Sequence, residues 1–369
     1  MRTANILILG ASYGSLLGTK LQFGGLKIKL ICRPSTVAAI NKHGARVRLP
    51  IKGRDEVIEL DSRMLPGELS AVGPAEVDPS DYDLVALAMQ EAHYSAPEVR
   101  KLLSVVAKAK VPCMSIMNMP PLPYLKRIPG LDSDALRTCY ADASVWDDFD
   151  PSLMTLCSPD PQAIRLPDND KNVLQVTLPT NFKVSRFDSE AHTSMLRQLQ
   201  ADIEAIRFDP GDGAIELPIK LKVHESIFVP LAKWAMLLTG NYRCVQKETA
   251  LSIKDAVHGD IAASRSVYDW VCSLCERLGA SPQDLVPFEP YANAARNLIR
   301  PSSAARALFA GATQIERTDR LVQAIAAQYG LRNSIVDATV AIISQRLAIN
   351  QRPYFFVPAL VESPLAAVS

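Results

Sequence analysis

The sequence carries almost no excess of charge of either sign. Its 369 residues include 40 Lys and Arg and 39 Asp and Glu, which gives a formal net charge of +1 at pH 7. Nucleic acids and anionic membrane surfaces attract proteins through a clear basic excess, and no apolar run approaches the roughly 20 residues needed to span a bilayer. We therefore predict that neither a nucleic acid nor a membrane is a partner of this protein.

Metal-ligand clusters and a secretory signal are also missing. The five His residues show no metal-ligand spacing, and the first residues lead directly into a strand rather than a signal peptide. The seven Cys residues are odd in number and irregularly spaced, which is typical of reduced thiols in the cytosol. Cys272 and Cys275 share one face of a predicted helix and are interpreted as core residues. The sequence thus predicts a cytoplasmic protein without a bound metal.

A glycine-containing turn near the start of the chain lies at the centre of the predicted amino-terminal fold. Apolar residues 6–9 predict a strand buried on both faces, an apolar-periodic helix runs to about residue 23, and residues 27–32 form a second strand. This order is that of a dinucleotide site, in which unpaired N–H groups at a helix start receive a pyrophosphate. The turn is one residue shorter than G-x-G-x-x-G and has a serine in place of one glycine. The predicted cofactor-binding residues of the turn are Gly10, Ser12, Tyr13, Gly14 and Ser15.

The end of the second strand indicates which dinucleotide binds. NAD sites usually have an acidic residue there for the ribose 2′-OH, whereas NADP sites have an arginine near the 2′-phosphate. Here Cys32 is followed by Arg33, and no acid is present. The arginine side chain can bind a phosphate through two hydrogen bonds, and Ser35 and Thr36 can add hydroxyl donors. The sequence therefore predicts NADP(H), although a solvated Arg33 in a loop is the simpler alternative.

Strands alternate with helices through the first third of the chain. Further strands are predicted within 45–60, at 83–89 and at 111–117, helices at 36–43 and 97–109, and a loop at 66–80. Such alternation predicts a parallel, doubly wound sheet of Rossmann type. Ligands bind at the carboxyl ends of its strands, which is where the predicted cofactor residues Gly10, Arg33, Gln90 and Asn118 fall.

The chain changes character twice after residue 130. Residues 131–187 form a β-rich extension with predicted strands within 137–145, 153–166 and 173–187, and a helix covers 189–206. A Pro- and Gly-rich breaker at 209–213 predicts a domain boundary, with an NADP-binding Rossmann-like domain at 1–212 and a helical substrate and dimerisation domain at 213–350. Residues 351–369 form a predicted tail. The predicted helices of the second domain are 223–238, 252–278, 301–310, 315–329 and 334–350.

Lys233 is the candidate for acid–base chemistry. It lies in a predicted helix that is apolar on nearly every side, and lysine is rarely buried without a partner. Burial lowers the pKa of a lysine towards the range that is useful in catalysis. Asn241 lies eight residues further on, which places it on roughly the same face of a helix. The residues alone leave open the alternative that Lys233 extends to solvent.

Together these motifs resemble the ketopantoate reductase (2-dehydropantoate 2-reductase) family, in the 6-phosphogluconate dehydrogenase-like superfamily. The resemblance covers about residues 4–348 and rests on Arg33, on Asn118 at a strand end, on Lys233 in a K-x-x-x-N-x-x-x-N-like helix and on 301–316. It implies an NADPH-dependent reduction of a 2-keto acid in which Lys233 protonates the developing alkoxide. It further implies that Asn118 binds near the nicotinamide ribose and that the substrate is held by Lys233, Asn241, Ser302 or Ser303, and Gln314.

Several positions depart from the family pattern. The first Asn of the family helix is Leu237 here, the family Glu is Gln314, and a Lys that often follows the fourth strand is Gln90. Because a buried polar site rejects molecules that leave its groups unpaired, we expect a substrate other than ketopantoate. Glu316 could replace the family Glu, but two residues along a helix turn a side chain by about 200°, so we do not predict this.

Two alternative functions remain open from the sequence. An opine-type dehydrogenase, which reduces an imine, would use a His–Asp pair, and His224 and His258 are its candidates. A non-catalytic NADP-binding sensor would be consistent with the shortened glycine turn and the lost Glu. The number of apolar helices in the second domain also predicts a homodimer.

Overall fold

The computed structural model describes residues 4–166 and 169–352 of the chain. The predicted tail beyond residue 352 and the turn at Pro167 and Asp168 lie outside these residues. The strands are β1 (Asn5–Leu9), β2 (Lys27–Ile31), β3 (Arg46–Leu49), β4 (Ile58–Asp61), β5 (Glu68–Val72), β6 (Leu84–Leu87), β7 (Cys113–Ile116), β8 (Met154–Ser158), β9 (Gln162–Ile164), β10 (Val173–Leu178), β11 (Phe182–Ser185), β12 (Arg207–Phe208), β13 (Ile215–Glu216) and β14 (Leu221–His224). The α-helices are α1 (Tyr13–Phe23), α2 (Pro34–His43), α3 (Pro97–Ala109), α4 (Leu122–Leu125), α5 (Glu190–Glu204), α6 (Lys233–Met236), α7 (Ile253–His258), α8 (Ile261–Leu278), α9 (Phe288–Ala295), α10 (Ser303–Phe309), α11 (Thr318–Gln328) and α12 (Ser334–Asn350).

An eight-stranded, mostly parallel sheet forms the centre of the described residues. Its strand order is β14-β11-β8-β7-β6-β1-β2-β5, and only the β8–β11 pair is antiparallel. The order reverses direction between β1 and β6, because β2 lies on one side of β1 and β6 on the other. Such a switch point opens a crevice outside the carboxyl ends of the strands, where ligands bind.

The two faces of the sheet are buried in different ways. Alternate residues of β1 point to opposite faces, so Ile6 and Ile8 pack with α1, α5 and the smaller sheet, whereas Leu7 and Leu9 pack with α3 and the carboxyl-terminal helices. Burial on both faces explains why this strand is apolar throughout.

A second, four-stranded sheet covers part of the large one. Its order is β4-β3-β10-β9, and the chain enters it twice, first between α2 and β5 and again between β8 and β11. The predicted strands within 153–166 and 173–187 are therefore each divided between the two sheets. The short hairpin of β12 and β13 then precedes β14.

Three sequence predictions of local structure are wrong. The predicted loop at 66–80 contains β5, an edge strand with only Ala71 fully buried and hence a weak apolar pattern. The predicted strand within 137–145 consists of 3₁₀ turns, in which Asp142 accepts a hydrogen bond from the backbone N–H of Ser144 and so competes with strand pairing. The predicted helix at 223–238 begins as β14, which pairs in parallel with β11.

The remaining helices follow the sequence prediction with shorter bounds. The predicted helix at 252–278 is interrupted between α7 and α8, where Asp260 accepts a hydrogen bond from the N–H of Ala263 and caps α8. The predicted helix at 315–329 begins only at Thr318. In the described part of the chain, no helix is both long enough and apolar enough to cross a membrane. Because β14 of the large sheet follows Gly213, the division of the chain into domains at residue 212 stays a prediction.

Candidate active site

The glycine turn has the backbone geometry that a dinucleotide site requires. Gly10 has a φ of +109°, and a Cβ on it would lie 2.6 Å from the carbonyl oxygen of Ala88, so only glycine fits between β1 and β6. Within the described residues, the backbone N–H groups of Ser12, Tyr13 and Gly14 make no hydrogen bond, and the Ser12 side chain does not cap α1. These free donors at a helix start can bind an anionic group.

The other predicted cofactor residues differ in burial and in their distance along the chain from this turn. Ser15 is buried, and its hydroxyl donates to the carbonyl oxygen of Ala11 at 2.5 Å, so it stabilises the turn from inside. Arg33 immediately precedes α2 without a capping hydrogen bond from its side chain, and Gln90 immediately precedes the 3₁₀ segment after β6; both side chains are exposed. Both follow the carboxyl ends of strands.

Lys233 begins the short helix α6, which continues into a π-helical turn at Leu237–Asn241. The N–H of Tyr242 donates to the carbonyl oxygen of Leu237, five residues back, at 2.9 Å. The carbonyl oxygen of Met236 accepts a hydrogen bond from the Tyr291 hydroxyl at 3.1 Å. Because a π turn holds one residue more than an α turn, the uniform helix that the sequence predicted from Lys233 to Asn241 is wrong. Single π turns are frequent at functional sites.

The ammonium group of Lys233 lies beside the end of β8. It donates to the carbonyl oxygen of Pro159 and lies 3.6 Å from a carboxylate oxygen of Asp160, with 18% of the side chain exposed. Burial lowers the pKa of Lys233, and the negative charges of Asp160 and Glu316 oppose this fall. Lys183 lies 3.4 Å from the other oxygen of Asp160. The carboxylate of Asp160 therefore lies between two lysines, Lys233 of α6 and Lys183 of β11.

Glu316 occupies the interior of the site, contrary to the expectation for a helical segment. Residues 314–317 have no regular secondary structure, and the helix begins only at Thr318, so the rotation argument does not apply to them. One carboxylate oxygen of Glu316 accepts a hydrogen bond from the backbone N–H of Met119 at 3.2 Å, and the other accepts from the Asn118 amide at 3.1 Å. Burial raises the pKa of Glu316, and these hydrogen bonds oppose the rise.

Asn118 links the sheet to the helical half of the chain. Its backbone carbonyl oxygen accepts a hydrogen bond from the indole N–H of Trp234 at 3.3 Å. Its side-chain oxygen Oδ1 is buried and has no hydrogen-bond partner among the described residues. A buried acceptor without a donor is costly, so this oxygen is suited to receive a hydroxyl of a bound molecule.

A second buried carboxylate, that of Glu91, lies near Glu316. Glu91 is 2% exposed, and one of its oxygens accepts from the backbone N–H of Ala141 at 3.0 Å. Burial, together with the negative charges of Glu316 and Asp142, raises the pKa of Glu91 to about 7, and the backbone hydrogen bond from Ala141 opposes the rise. Tyr13, on the glycine turn, feels both Glu316 and Asp160, and its pKa is raised to about 12, chiefly by burial. Tyr13 follows β1, the residues that bind Glu316 follow β7, and Asp160 follows β8, so all three lie at the carboxyl edge of the parallel strands, a region here called the cleft.

The remaining predicted substrate residues make no side-chain hydrogen bond to Lys233 or Glu316 within the described residues. The Ser302 hydroxyl caps α10 and donates to the backbone carbonyl oxygen of Asn241 at 2.6 Å, while Asn241 itself makes no side-chain hydrogen bond within the described ranges. Ser303 and Gln314 are exposed. Ser302 thus holds the end of the π turn in position. The sequence pattern did not single out Asp160, Glu91 or this role of Ser302, because Asp160 fell inside the predicted β segment 153–166, whereas β8 ends at Ser158.

The two histidines of the alternative function do not form the expected pair. His258 bonds through its ring to the backbone carbonyl oxygen of Ala292 at 2.8 Å. His224 lies on β14, and burial lowers its pKa. Across residues 4–166 and 169–352, neither ring is hydrogen-bonded to a carboxylate.

Solved structures of two reductases resemble this chain over almost its whole length. The 2-dehydropantoate 2-reductases from Methylococcus capsulatus and Geobacter metallireducens GS-15 each match with a TM-score of 0.65 and 14% identity, covering 95% and 92% of this chain and 99% of theirs. The ternary structure of D-mandelate dehydrogenase with NADH and anilino(oxo)acetate matches with a TM-score of 0.62 and 13% identity, covering 94% of this chain and 100% of that one. No protein-family model and no curated protein sequence matches.

The predicted fold class is confirmed by the sheet topology and by these neighbours. A Rossmann-type sheet is followed by a region in which helices predominate, as the motifs around Gly10, Asn118 and Lys233 predicted. The chain therefore has the fold of the ketopantoate reductases.

Proposed function

We propose that the protein is an NADPH-dependent reductase of a 2-keto acid or a related carbonyl compound. The observation that carries the proposal is the placement of Lys233. Lys233, whose pKa is lowered by burial, lies beside Asp160 after β8, and the free N–H groups of the glycine turn follow β1 at the same carboxyl edge of the sheet. The cleft lies at the carboxyl ends of parallel strands, on both sides of the switch point. A proton donor and an anion-binding helix start are the two parts that such a reduction needs.

The residues present fit a nicotinamide dinucleotide. The N–H groups of Ser12, Tyr13 and Gly14 are free to bind the pyrophosphate, and Arg33 at the end of β2 fits the additional phosphate of NADP(H). Asn118 Oδ1 is an unpaired acceptor for a ribose or substrate hydroxyl. When bound, the reduced nicotinamide supplies the hydride for the carbonyl carbon.

Lys233 acts as the general acid in this proposal. Its ammonium group gives a proton to the carbonyl oxygen as that oxygen gains negative charge, and a proton from solvent then restores it. The carbonyl oxygen of Pro159 and the carboxylate of Asp160 hold the ammonium in place and favour its charged form. Asn241 is proposed as a substrate contact, and Ser302 positions it through its backbone.

The substrate is proposed to differ from ketopantoate. Leu237 is buried where the family helix has its first Asn, and Gln90 is neutral where the family often has a lysine. The carboxylate that was expected to be missing at Gln314 is supplied by Glu316, but two hydrogen bonds from Met119 and Asn118 already engage it. A less polar 2-keto acid than ketopantoate fits these replacements.

The proposal is tested first by binding and then by turnover. NADPH titration followed by its fluorescence should give saturable binding, and a panel of 2-keto acids should then be screened through NADPH oxidation. Lys233→Met should lower kcat by about 10²–10⁴-fold with NADPH affinity retained, because general acid catalysis contributes about that factor.

Lys183→Met, which removes the other lysine beside Asp160, is the matched control and should retain turnover. Binding of NADPH without turnover of any carbonyl compound would favour the sensor function instead.

We also propose that the protein acts as a homodimer through its helical half. Ile261, Ile299 and Ile349 are exposed there, with 46%, 72% and 45% of their surface accessible. Burial of such side chains against a second copy would remove apolar surface from water. Sedimentation that shows only monomer at all concentrations would exclude this assembly.

A further inference from the structure

The smaller sheet brings an arginine to the glycine turn. Arg165 follows β9, and its Nη2 donates to the carbonyl oxygen of Ala11 at 2.8 Å. Its other terminal nitrogen, Nη1, is buried and has no hydrogen-bond partner among the residues described. A buried charged donor without an acceptor is unfavourable. The turn therefore holds a guanidinium group with unused binding capacity.

The glycine turn that Arg165 contacts adjoins the end of β2. The backbone N–H of Gly10 donates to the carbonyl oxygen of Ile31 at 2.9 Å, which brings Ala11, the hydrogen-bond partner of Arg165, beside Cys32. Arg33 follows Cys32 directly. Lys171, which lies before β10, donates to the Ser35 hydroxyl at 2.9 Å at the start of α2. The β9–β10 region thus adds two cations to the one that the sequence predicted at this position.

These cations differ from their neighbours in having no carboxylate partner. Within the described residues, Arg33, Arg165 and Lys171 form no ion pair, whereas Arg46 and Arg48 of the same small sheet both pair with Glu59. Unpaired cations from two separate parts of the chain that meet beside a dinucleotide turn are suited to an anionic ligand. A planar guanidinium matches a phosphate through two parallel hydrogen bonds.

We propose that Arg165, assisted by Lys171, binds the 2′-phosphate of NADP(H) and so contributes to cofactor choice together with Arg33. The end of β2 faces the adenosine ribose in dinucleotide-binding folds, and the 2′-phosphate is the group that distinguishes NADP from NAD there. The small sheet is then a specificity element that contacts the cofactor from outside the Rossmann core. The inference rests on the proposed cofactor, but it concerns residues that the glycine-turn pattern does not include.

Cofactor binding, rather than turnover, tests this assignment. Dissociation constants for NADPH and NADH would be measured by fluorescence titration, and those for 2′,5′-ADP and ADP by calorimetry. Arg165→Met should weaken binding of NADPH and of 2′,5′-ADP by about tenfold or more, because a charge-assisted hydrogen bond is lost, with NADH and ADP nearly unchanged. Lys171→Met should show a smaller loss of the same selectivity. Arg48→Met, which removes a paired arginine of the same sheet, should leave all four constants unchanged.

Arg165→Gln separates ligand binding from support of the turn. Its amide can still donate to the Ala11 carbonyl oxygen, but the positive charge is gone, so the selective loss of NADPH affinity should persist even where Arg165→Met fails to fold. An equal loss for NADPH and NADH, or no loss for either, would overturn the assignment to the 2′-phosphate and leave the reductase proposal standing. Binding of neither dinucleotide by the unmodified protein would overturn both.

Discussion

Asp160 and Lys183 shift the pKa of Lys233 in opposite directions, and this pKa sets the pH range of the proposed reduction. Burial lowers the pKa of Lys233 and Asp160 opposes this effect. In the proposed mechanism the ammonium form supplies the proton, so the rate of reduction should fall as the pH rises through the pKa of this lysine. Asp160→Asn removes the opposing charge, so the alkaline limb of the kcat profile should move to lower pH.

Lys183→Met provides the opposite test at the same carboxylate. The charge of Lys183 lowers the pKa of Lys233, so its removal should move the alkaline limb to higher pH. A pH profile that neither variant shifts would contradict the role of Lys233 as the proton donor.

Glu91 should make the stability of the protein fall between weakly acidic and neutral pH. Its pKa is raised from 4.5 to about 7 in the folded protein, so the folded state binds more protons than the unfolded state between these values. Stability contributed by the neutral carboxyl is present below pH 4.5 and is lost as the pH rises to about 7. Glu91→Gln keeps an acceptor for the Ala141 N–H and should raise the free energy of unfolding at pH 8 by up to about 3 kcal/mol.

Urea denaturation of both proteins at pH 5 and pH 8 would measure this difference. The gain of the variant should be much smaller at pH 5, where only the first part of the loss between pH 4.5 and about 7 has occurred. Glu248→Gln, at an exposed position, should show no gain at either pH. An equal gain for Glu91→Gln at both pH values would mean that packing, and not ionisation, is responsible.

At the scale of the element, the sequence predicted those helices and strands whose formation depends on residues close together in the chain. The apolar run before Gly10 and the apolar surroundings of Lys233 are local patterns, and the structure places both residues at the carboxyl edge of the large sheet. The position of Glu316 depended on whether residues 314–317 are helical, and the helix begins only at Thr318. Arg165 reaches the glycine turn and Asp160 reaches Lys233 because the chain crosses between two sheets. The hydrophobic pattern of the sequence does not indicate such a crossing.

The π turn that follows α6 depends on the absence of a side chain at Gly240. A Cβ on Gly240 would lie 2.2 Å from the Tyr291 hydroxyl oxygen, which donates to the Met236 carbonyl oxygen. Gly240→Ala should therefore lower the free energy of unfolding by about 1–3 kcal/mol through overpacking and should reduce turnover by displacing Lys233 and Asn241. Thermal unfolding and kcat would report the two effects.

Tyr291→Phe offers the compensating change. It removes the hydroxyl that the alanine would strike, at the loss of one hydrogen bond to Met236. In the double variant, Gly240→Ala should cost less than it does alone, which gives a favourable coupling energy in a double-mutant cycle. Additive losses would show that the contact with Tyr291 is not what requires glycine here.

At the scale of the whole molecule, the sheet and the carboxyl-terminal helices share one core. A single apolar cluster contains Leu7 and Val85 of the sheet together with Trp234 and Leu321 of the helices. The hydrogen bonds of Asn118 to Glu316 and Trp234 connect the same two parts beside the cleft. Unfolding of either part would expose apolar surface on the other, and neither is expected to be stable alone.

This shared core predicts a single cooperative unfolding transition despite the two-part architecture. Calorimetry should show one peak whose calorimetric and van't Hoff enthalpies agree. NADPH at about 100 times its dissociation constant should move the whole peak upward, equivalent to about 2.7 kcal/mol of stabilisation, because it binds only the folded state. NADH at the same concentration should shift the peak less if the cations near Arg33 select the 2′-phosphate. Two separate peaks, of which NADPH moves only one, would show that the cleft joins two independently folding units and that the contacts of Asn118 couple them only weakly.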